Sequence, residues 1–291
     1  MNTRTLVETL ELERLETNLF RGTTARDHRP RIFGGQVIAQ SLLAAYGTVE
    51  DRICHSLHCY FMRPGDPRIP ILFEVDRSRD GGSFTTRRVV AIQNGEQIFN
   101  FSASFQAPGG GFEHQAPMPS APHWDEIEDD LEVAIRREAA KGRAPKDWAL
   151  RKAPVQLRTV GGRPHTRTPD PLPPVQQIWF RACDPIGESQ ALHQVVMAYT
   201  SDMGLLATSM RPHAVGDRTP GLQTASLDHA MWFHQPTDFN EWHLYHSASP
   251  AASGGRGLNI GYIYRGRDGV LVATCVQEGL IRLRPPAPAQ A

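Results

Sequence analysis

The same order of elements occurs twice along the 291 residues, and a fold must accommodate both occurrences. In the first, Phe33-Gly34-Gly35-Gln36 opens a run, Val37 to Tyr46, with small and apolar residues on nearly every face. A helix of that kind is wrapped by other elements rather than laid on a surface. Strand patterns follow it. Ile71, Phe73 and Val75 alternate with Leu72, Glu74 and Asp76, and Phe99, Phe101, Ala103 and Phe105 alternate with Asn100, Ser102 and Ser104, the period of half-buried strands. Asn94-Gly95 joins residues 84–93 to 96–106; a two-residue turn needs positive φ at both positions, which this pair tolerates, so the sheet is expected to be antiparallel.

The second occurrence repeats these features. Ser189 to Tyr199 matches the helical run at a constant offset of 153 positions, Tyr46 falling on Tyr199. Ser56-Leu57-His58 is matched by Ser226-Leu227-Asp228, and Met62-Arg63-Pro64 by His234-Gln235-Pro236. Gly254-Gly255-Arg256, the alternating Leu258, Ile260, Tyr262 and Tyr264, the turn Asp268-Gly269 and the run Val270 to Gln277 repeat Gly81 to Gln106. Two tandem antiparallel sheets, each wrapped around its own helix, make an α+β double hot-dog of one continuous domain. Residues 1–115 form the first repeat with a leading amphipathic helix over 4–21, and 176–285 form the second. Residues 116–175, bounded by Gly/Pro-rich stretches, are the linker, with a charged helix from Asp125 to Lys141 in which Glu132 and Arg136 stand at the favourable i,i+4 spacing. Residues 286–291 are a tail.

Composition removes several classes of function. With 31 basic and 31 acidic residues the formal charge is zero, which lacks the basic footprint for nucleic acid. Acids interrupt the first apolar run, so neither an export signal nor a membrane span is expected. Four cysteines, with no Cys-x-x-Cys pair, point to reduced thiols in a cytosol. The serine-hydrolase elbow, the zinc-binding His-Glu-x-x-His helix, the phosphate loop and the dinucleotide fingerprint are all missing, which weakens the serine-hydrolase, zincin and Rossmann readings. His55, His58, His243 and His246 have no acidic ligand pattern beside them and read as core or surface histidines. Asp238-Phe239-Asn240-Glu241-Trp242-His243 has the spacing of a hydratase acid–base pair. It lies well after the helix instead of just before it and lacks the proline of that motif, so it reads as a solvated turn.

Divergence between the copies supplies a better candidate: His58 becomes Asp228, flanked by apolar residues. A carboxylate there is either hydrogen-bonded scaffolding or a base of raised pKa. Gly34-Gly35 would let a carbonyl approach N–H groups at the positive end of a helix, or would simply allow close packing.

Leu19-Phe20-Arg21-Gly22, Phe33-Gly34-Gly35-Gln36-Val37, His55-Ser56-Leu57-His58-Cys59-Tyr60-Phe61, Arg63-Pro64-Gly65-Asp66 and Phe105-Gln106-Ala107-Pro108 closely resemble the acyl-CoA thioesterase II family. So do Leu227-Asp228-His229-Ala230-Met231-Trp232-Phe233-His234, Ser253 to Gly257 and Val276-Gln277-Glu278-Gly279, the resemblance running from about Leu6 to Arg282. It implies a double hot-dog that hydrolyses acyl-CoA to fatty acid and coenzyme A without metal or cofactor, as a cytosolic dimer or tetramer. It also implies one water held by an Asp, a hydroxyl residue and a Gln, which by position are Asp228, Ser249 and Gln277, with Ser247 and Ser253 as alternative hydroxyls. Cys275, two residues before Gln277, reads as a small core residue. A non-catalytic acyl-CoA binder and a hot-dog enoyl-CoA hydratase are the other readings. Arg63, Arg87, Arg88 and Arg256 lie in the matching strings without an assigned role.

Overall fold

The computed structural model describes residues 6–24, 30–142, 154–163, 170–216 and 218–284. In chain order its elements are α1 (Leu6–Leu10), β1 (Leu12–Glu16), β2 (Leu19–Gly22), α2 (Gly34–Tyr46), β3 (Ile53–Phe61), β4 (Ile71–Asp80), β5 (Phe84–Gln93), β6 (Glu96–Gln106), α3 (Asp130–Ala140), β7 (Val155–Thr159), β8 (Val175–Ala182), α4 (Gln190–Ser201), α5 (Ala207–Met210), β9 (Leu222–Ser226), β10 (Asp228–Phe233), β11 (His243–Ser253), β12 (Arg256–Arg265) and β13 (Leu271–Leu283). The expected repeat is present as helix-then-sheet in each half, α2 before β3–β6 and α4 before β9–β13. Asn94 and Gly95 take φ values of 50° and 76° at the β5–β6 turn, as the hairpin reading requires.

Among the described residues all strands belong to one 13-stranded sheet ordered β1-β2-β4-β5-β6-β3-β10-β13-β12-β11-β8-β7, with β9 also on β13. The halves join where β3 pairs antiparallel with β10, His229 opposite Cys59 and Ala230 opposite His58. The sheet curls around α2 and α4, whose residues are buried almost throughout, from Gly35 to Ala45 save Leu43, and from His193 to Ser201. That explains why the two runs lack a polar face. α2 and α4 also pack against each other, and Gly35 sets how closely. A Cβ placed on Gly35 would lie 2.2 Å from the Tyr199 carbonyl oxygen and 2.5 Å from the Phe33 ring, so only glycine permits this crossing.

Two expectations change. The leading segment is not one helix: α1 ends at Leu10, and Leu12–Glu16 and Leu19–Gly22 form an edge hairpin whose second strand pairs with β4. Pairing with the β4 edge satisfies backbone groups that a surface helix would leave to itself, and it covers an edge. Residues 4 and 5 lie outside the described residues. The charged helix of the linker is interrupted, a short 3₁₀ turn at Trp124–Glu126 preceding α3, which starts when the Asp129 carboxylate accepts from the N–H groups of Leu131 and Glu132. Arg136 pairs with Glu128 at 2.6 Å rather than with Glu132. The approach to α3 is strapped to the outer face of the second half: Trp124 packs on Trp179 and Trp242, and the Trp179 indole donates to the Pro122 carbonyl at 2.9 Å. The C-terminal tail and much of the 164–174 stretch lie outside the described residues.

Replacing Gly35 by alanine is expected to force α2 and α4 apart and to lower the unfolding free energy by about 1–3 kcal/mol, the usual cost of overpacking. Urea unfolding of the parent and Gly35→Ala measures it; equal midpoints would show that the helices can separate without cost.

Candidate active site

Asp202 follows the last turn of α4, after nine consecutive buried residues. A carboxylate there faces the negative end of the helix dipole and loses much of its water, so it needs donors. It receives three, from three separate elements. The Gln277 amide on β13 donates to Oδ1 at 2.6 Å, the Ser226 hydroxyl on β9 to the same oxygen at 3.3 Å, and the Gly35 backbone N–H in the first turn of α2 to Oδ2 at 2.9 Å. Desolvation nevertheless dominates over these bonds and over the Arg31 charge, and the carboxyl is pushed up to about 6. The residue as a whole is intermediate in exposure, while its carboxyl group is deeply desolvated. A carboxyl that titrates near neutrality while held from three sides has the properties of a general base.

Gln277 is fully buried, and its second contact is His229 Nδ1 at 3.4 Å. His229 in turn meets the Ser201 hydroxyl at 2.9 Å through Nε2. The Gln277 Oε1 has no partner among the described residues.

A β-bulge brings Ser226 and His229 to the same face. Between the paired positions Ser226 with Gly279 and Ala230 with Val276, the three residues Leu227 to His229 oppose only Gln277 and Glu278. In a regular strand, residues three apart face opposite sides; the extra residue turns both toward α4.

The sequence-derived trio is not assembled. Asp228 is the cross-strand partner of Tyr60, which is 63% exposed on the outer face, and its carboxylate accepts from the Glu278 backbone N–H at 2.7 Å, within the bulge. Burial and the nearby Glu278 charge raise its pKa, against that hydrogen bond. This is the scaffolding alternative. Ser249 stands on β11, two strands from β13, and its hydroxyl donates to the Leu258 carbonyl at 2.7 Å. Ser247 is buried against the Thr208 hydroxyl at 2.9 Å, and Ser253 is exposed at the β11–β12 turn. Of the expected three, only Gln277 contacts the buried carboxylate. For the glycine pair, close packing accounts for Gly35, whose N–H is committed to Asp202 and so orients that carboxylate; a Cβ on Gly34 would come within 2.8 Å of Asp202 Oδ2.

Other motifs separate similarly. Asp238 is half-exposed and caps its own turn, but His243 is fully buried in a cluster of three mutually contacting rings with Phe180 and Phe239, its ring nitrogens on Thr237 and the Glu241 carbonyl. The solvated-turn reading thus holds for the aspartate and is corrected for the histidine. Cys275 is a core residue, its thiol pushed up to about 12 by burial. Among the described residues no three His, Cys, Asp or Glu side chains converge as metal ligands would, and no helix is long and apolar enough to cross a membrane.

The sequence carries a signal at Asp202. The constant offset of 153 places Asp202 on Val49 of the first copy, a second divergence between the copies beside that of His58 and Asp228. A carboxylate directly after a wholly buried helix is also unfavourable in both charge and solvation. Ser226 was invisible because the bulge reverses its face.

A family model described as acyl-CoA thioesterase matches residues 142–280, and one described as acyl-CoA thioesterase N-terminal domain matches residues 24–106. Human acyl-coenzyme A thioesterase 8 is 41% identical over 285 residues, covering 95% of this chain and 88% of that protein. Acyl-CoA thioesterase 2 of Haemophilus influenzae is 39% identical over 280 residues, covering 95% and 96%. The crystal structure of acyl-CoA thioesterase II TesB2 from Mycobacterium marinum aligns with a TM-score of 0.77 at 40% identity, covering 96% of this chain and 98% of that one. A hot-dog protein from Alicyclobacillus acidocaldarius, at 19% identity and a TM-score of 0.73, shares the fold.

The raised pKa of Asp202 has a consequence for stability. The folded chain holds this proton to about pH 6, whereas an unfolded aspartate releases it near about 3.9. The contribution to stability is therefore complete below about pH 4 and is lost as pH rises through 6. Asp202→Asn is expected to be more stable than the parent at pH 7.5 by up to ~3 kcal/mol, with the difference vanishing near pH ~4. Denaturant midpoints at the two pH values test this; a variant less stable at both would mean the charge is not strained.

Proposed function

The chain belongs to the acyl-CoA thioesterase family and is a thioester hydrolase, and we propose that it works through a water held by Asp202 and Gln277, with the Ser226 hydroxyl orienting the Asp202 carboxylate. The supporting observation is the convergence of three donors from α2, β9 and β13 on one carboxyl of raised pKa. In this reading Asp202 Oδ2, which uses one lone pair on Gly35, takes a proton from the water. The water oxygen attacks the thioester carbonyl carbon and the carbon–sulfur bond breaks. Coenzyme A leaves as a thiolate, whose conjugate acid has a pKa near about 8.5, and recovers the proton from Asp202. A leaving group so stable needs little acid assistance, so orienting the water is the main task.

The polar set favours turnover over simple binding, because an acyl chain in a groove has no use for a desolvated carboxylate. Hydratase chemistry is disfavoured, since the His243 ring nitrogens are already engaged. Acyl-CoA is the substrate class, as the names of the relatives suggest. We place the protein in a reducing cytosol on its few cysteines, none of them in a Cys-x-x-Cys pair, and as a homo-oligomer on the exposure of Tyr60 at 63% and Met62 at 53% beside the joint between the halves.

Thiol release from a panel of acyl-CoAs tests the mechanism. Asp202→Asn is expected to fall by about 10²–10⁴-fold, the usual worth of a general base. Ser226→Ala and Gln277→Ala should fall roughly tenfold each, as one lost positioning hydrogen bond would give. Asp228→Asn and Ser249→Ala should stay within about threefold, as substitutions away from the reacting atoms do. In the parent, kcat/KM should rise with pH and level off above a midpoint near 6. A collapse in Asp228→Asn with Asp202→Asn unimpaired would exchange the roles of the two aspartates.

A further inference from the structure

The amide of Gln277 is fixed by a chain of hydrogen bonds whose polarity runs one way. It begins at the Ala198 carbonyl, which can only accept, so the Ser201 hydroxyl 2.9 Å away donates to it. Ser201 Oγ, its proton spent, then accepts from His229 Nε2 at 2.9 Å. His229 is 1% exposed, and burial holds its pKa down to about 4, so the ring is neutral. A neutral imidazole protonated on Nε2 has a lone pair on Nδ1. That lone pair faces Gln277 Nε2 at 3.4 Å, and the other amide proton goes to Asp202 Oδ1 at 2.6 Å. Turning the amide over would set Oε1 against a carboxylate and a ring lone pair together, exchanging two attractions for two repulsions.

We propose that His229 is a positioning residue of the hydrolytic site, locking the Gln277 amide so that Oε1, and not Nε2, is offered to the attacking water. The inference rests on the reading of Asp202 as the base. Both protons of Gln277 being committed, its buried and unpartnered Oε1 is the only atom the amide can still engage, and it accepts. A water that donates one proton to Asp202 and the other to Gln277 keeps its lone pairs for the carbonyl carbon. A water held by an amide N–H would spend one of those lone pairs. The repeat supplies an independent observation. At the offset of 170 that matches Ser56 to Ser226, His229 falls on Cys59, just as Asp202 falls on Val49. The histidine and the carboxylate thus occur in the same copy and are both replaced in the other. Near the ring, Cys59 on β3 feels the charges of Asp202 after α4 and Asp228 on β10 and donates its thiol proton to the His229 carbonyl, while Tyr245, on the Ser201 carbonyl, and Cys275 beside it also feel the Asp202 charge.

The test uses the whole protein with its histidine rings labelled with nitrogen-15. The His229 resonance, assigned by its loss in His229→Asn, should report the neutral ring protonated on Nε2 at pH 7.5. A ring protonated on Nδ1, or on both nitrogens, would overturn the proposal. In thiol-release kinetics His229→Leu, which removes the acceptor, should lose kcat about tenfold with KM within about twofold, as expected for an interaction that orients water without binding substrate. His229→Asn places Oδ1 where Nδ1 stands and should recover most of that loss. Leu and Asn variants equally active, or equally impaired, would overturn the proposal, and if the leucine variant fails to fold, the tautomer and the asparagine variant decide. Asp202→Asn run in parallel separates the two readings. If it keeps the parent rate, the base assignment fails and takes the catalytic part of this proposal with it; a wrong tautomer sinks the proposal and leaves the base standing.

Discussion

The contact between α2 and α4 at Gly35 controls the rest of the site. Because no Cβ intervenes between Gly35 and the Tyr199 carbonyl, the first turn of α2 reaches the far end of α4 and gives a backbone N–H to Asp202. The positive end of one helix dipole thus partly offsets the negative end of the other, at the carboxylate between them. Without that approach Asp202 would lose one of its three donors, and its remaining bonds, both to Oδ1, would leave the carboxyl free to rotate. The fold and the chemistry share one steric requirement.

The architecture was legible because it rests on local signals that repeat. Apolar residues around the whole circumference of two helical runs, period-2 alternation and an Asn-Gly turn report on burial and backbone geometry at the residues that carry them. The leading segment misled because leucines at positions 6, 10, 12, 15 and 19 suit a helical stripe as well as a short hairpin, and the choice is made by β4, distant in sequence. Gln277 was legible by family position. Asp202 carries the weaker signal, a lone mismatch with Val49, whereas the mismatch at Asp228 sits among strongly matching strings.

Ser226 and Asp228 show a deeper limit. Counting by twos along Ser226-Leu227-Asp228 puts the serine and the aspartate on one face, and with an undisturbed ladder that would be correct. The bulge opposite Gln277 and Glu278 shifts the phase by one, sending Ser226 inward and leaving Asp228 outside to bond the backbone of the bulge itself. A bulge depends on the register between two strands, which no single segment encodes. Asp228, expected as the base, thus bonds the distortion that aims the Ser226 hydroxyl at Asp202.

The same asymmetry explains why two copies of one unit yield one carboxylate of raised pKa at the helix pair. α2 and α4 run antiparallel, so their contact has two ends related by the repeat. At one end stand Asp202, Gly35 and Gln277. At the other, Tyr46 donates its phenol to Gln194, accepts from the Cys54 N–H at 2.9 Å, and Gln194 closes the ring by donating to the Cys54 carbonyl at 2.9 Å. Every polar group in that second cluster has its partner within it, and burial pushes the Tyr46 phenol far above its ordinary range, so it stays neutral. One end of the helix pair is satisfied and inert; the other keeps a strained charge and an unpartnered acceptor. A satisfied cluster stabilises, whereas reactivity needs groups whose bonding is unfinished until substrate arrives. Duplication lets the chain assign these opposed demands to opposite ends of the same helix contact.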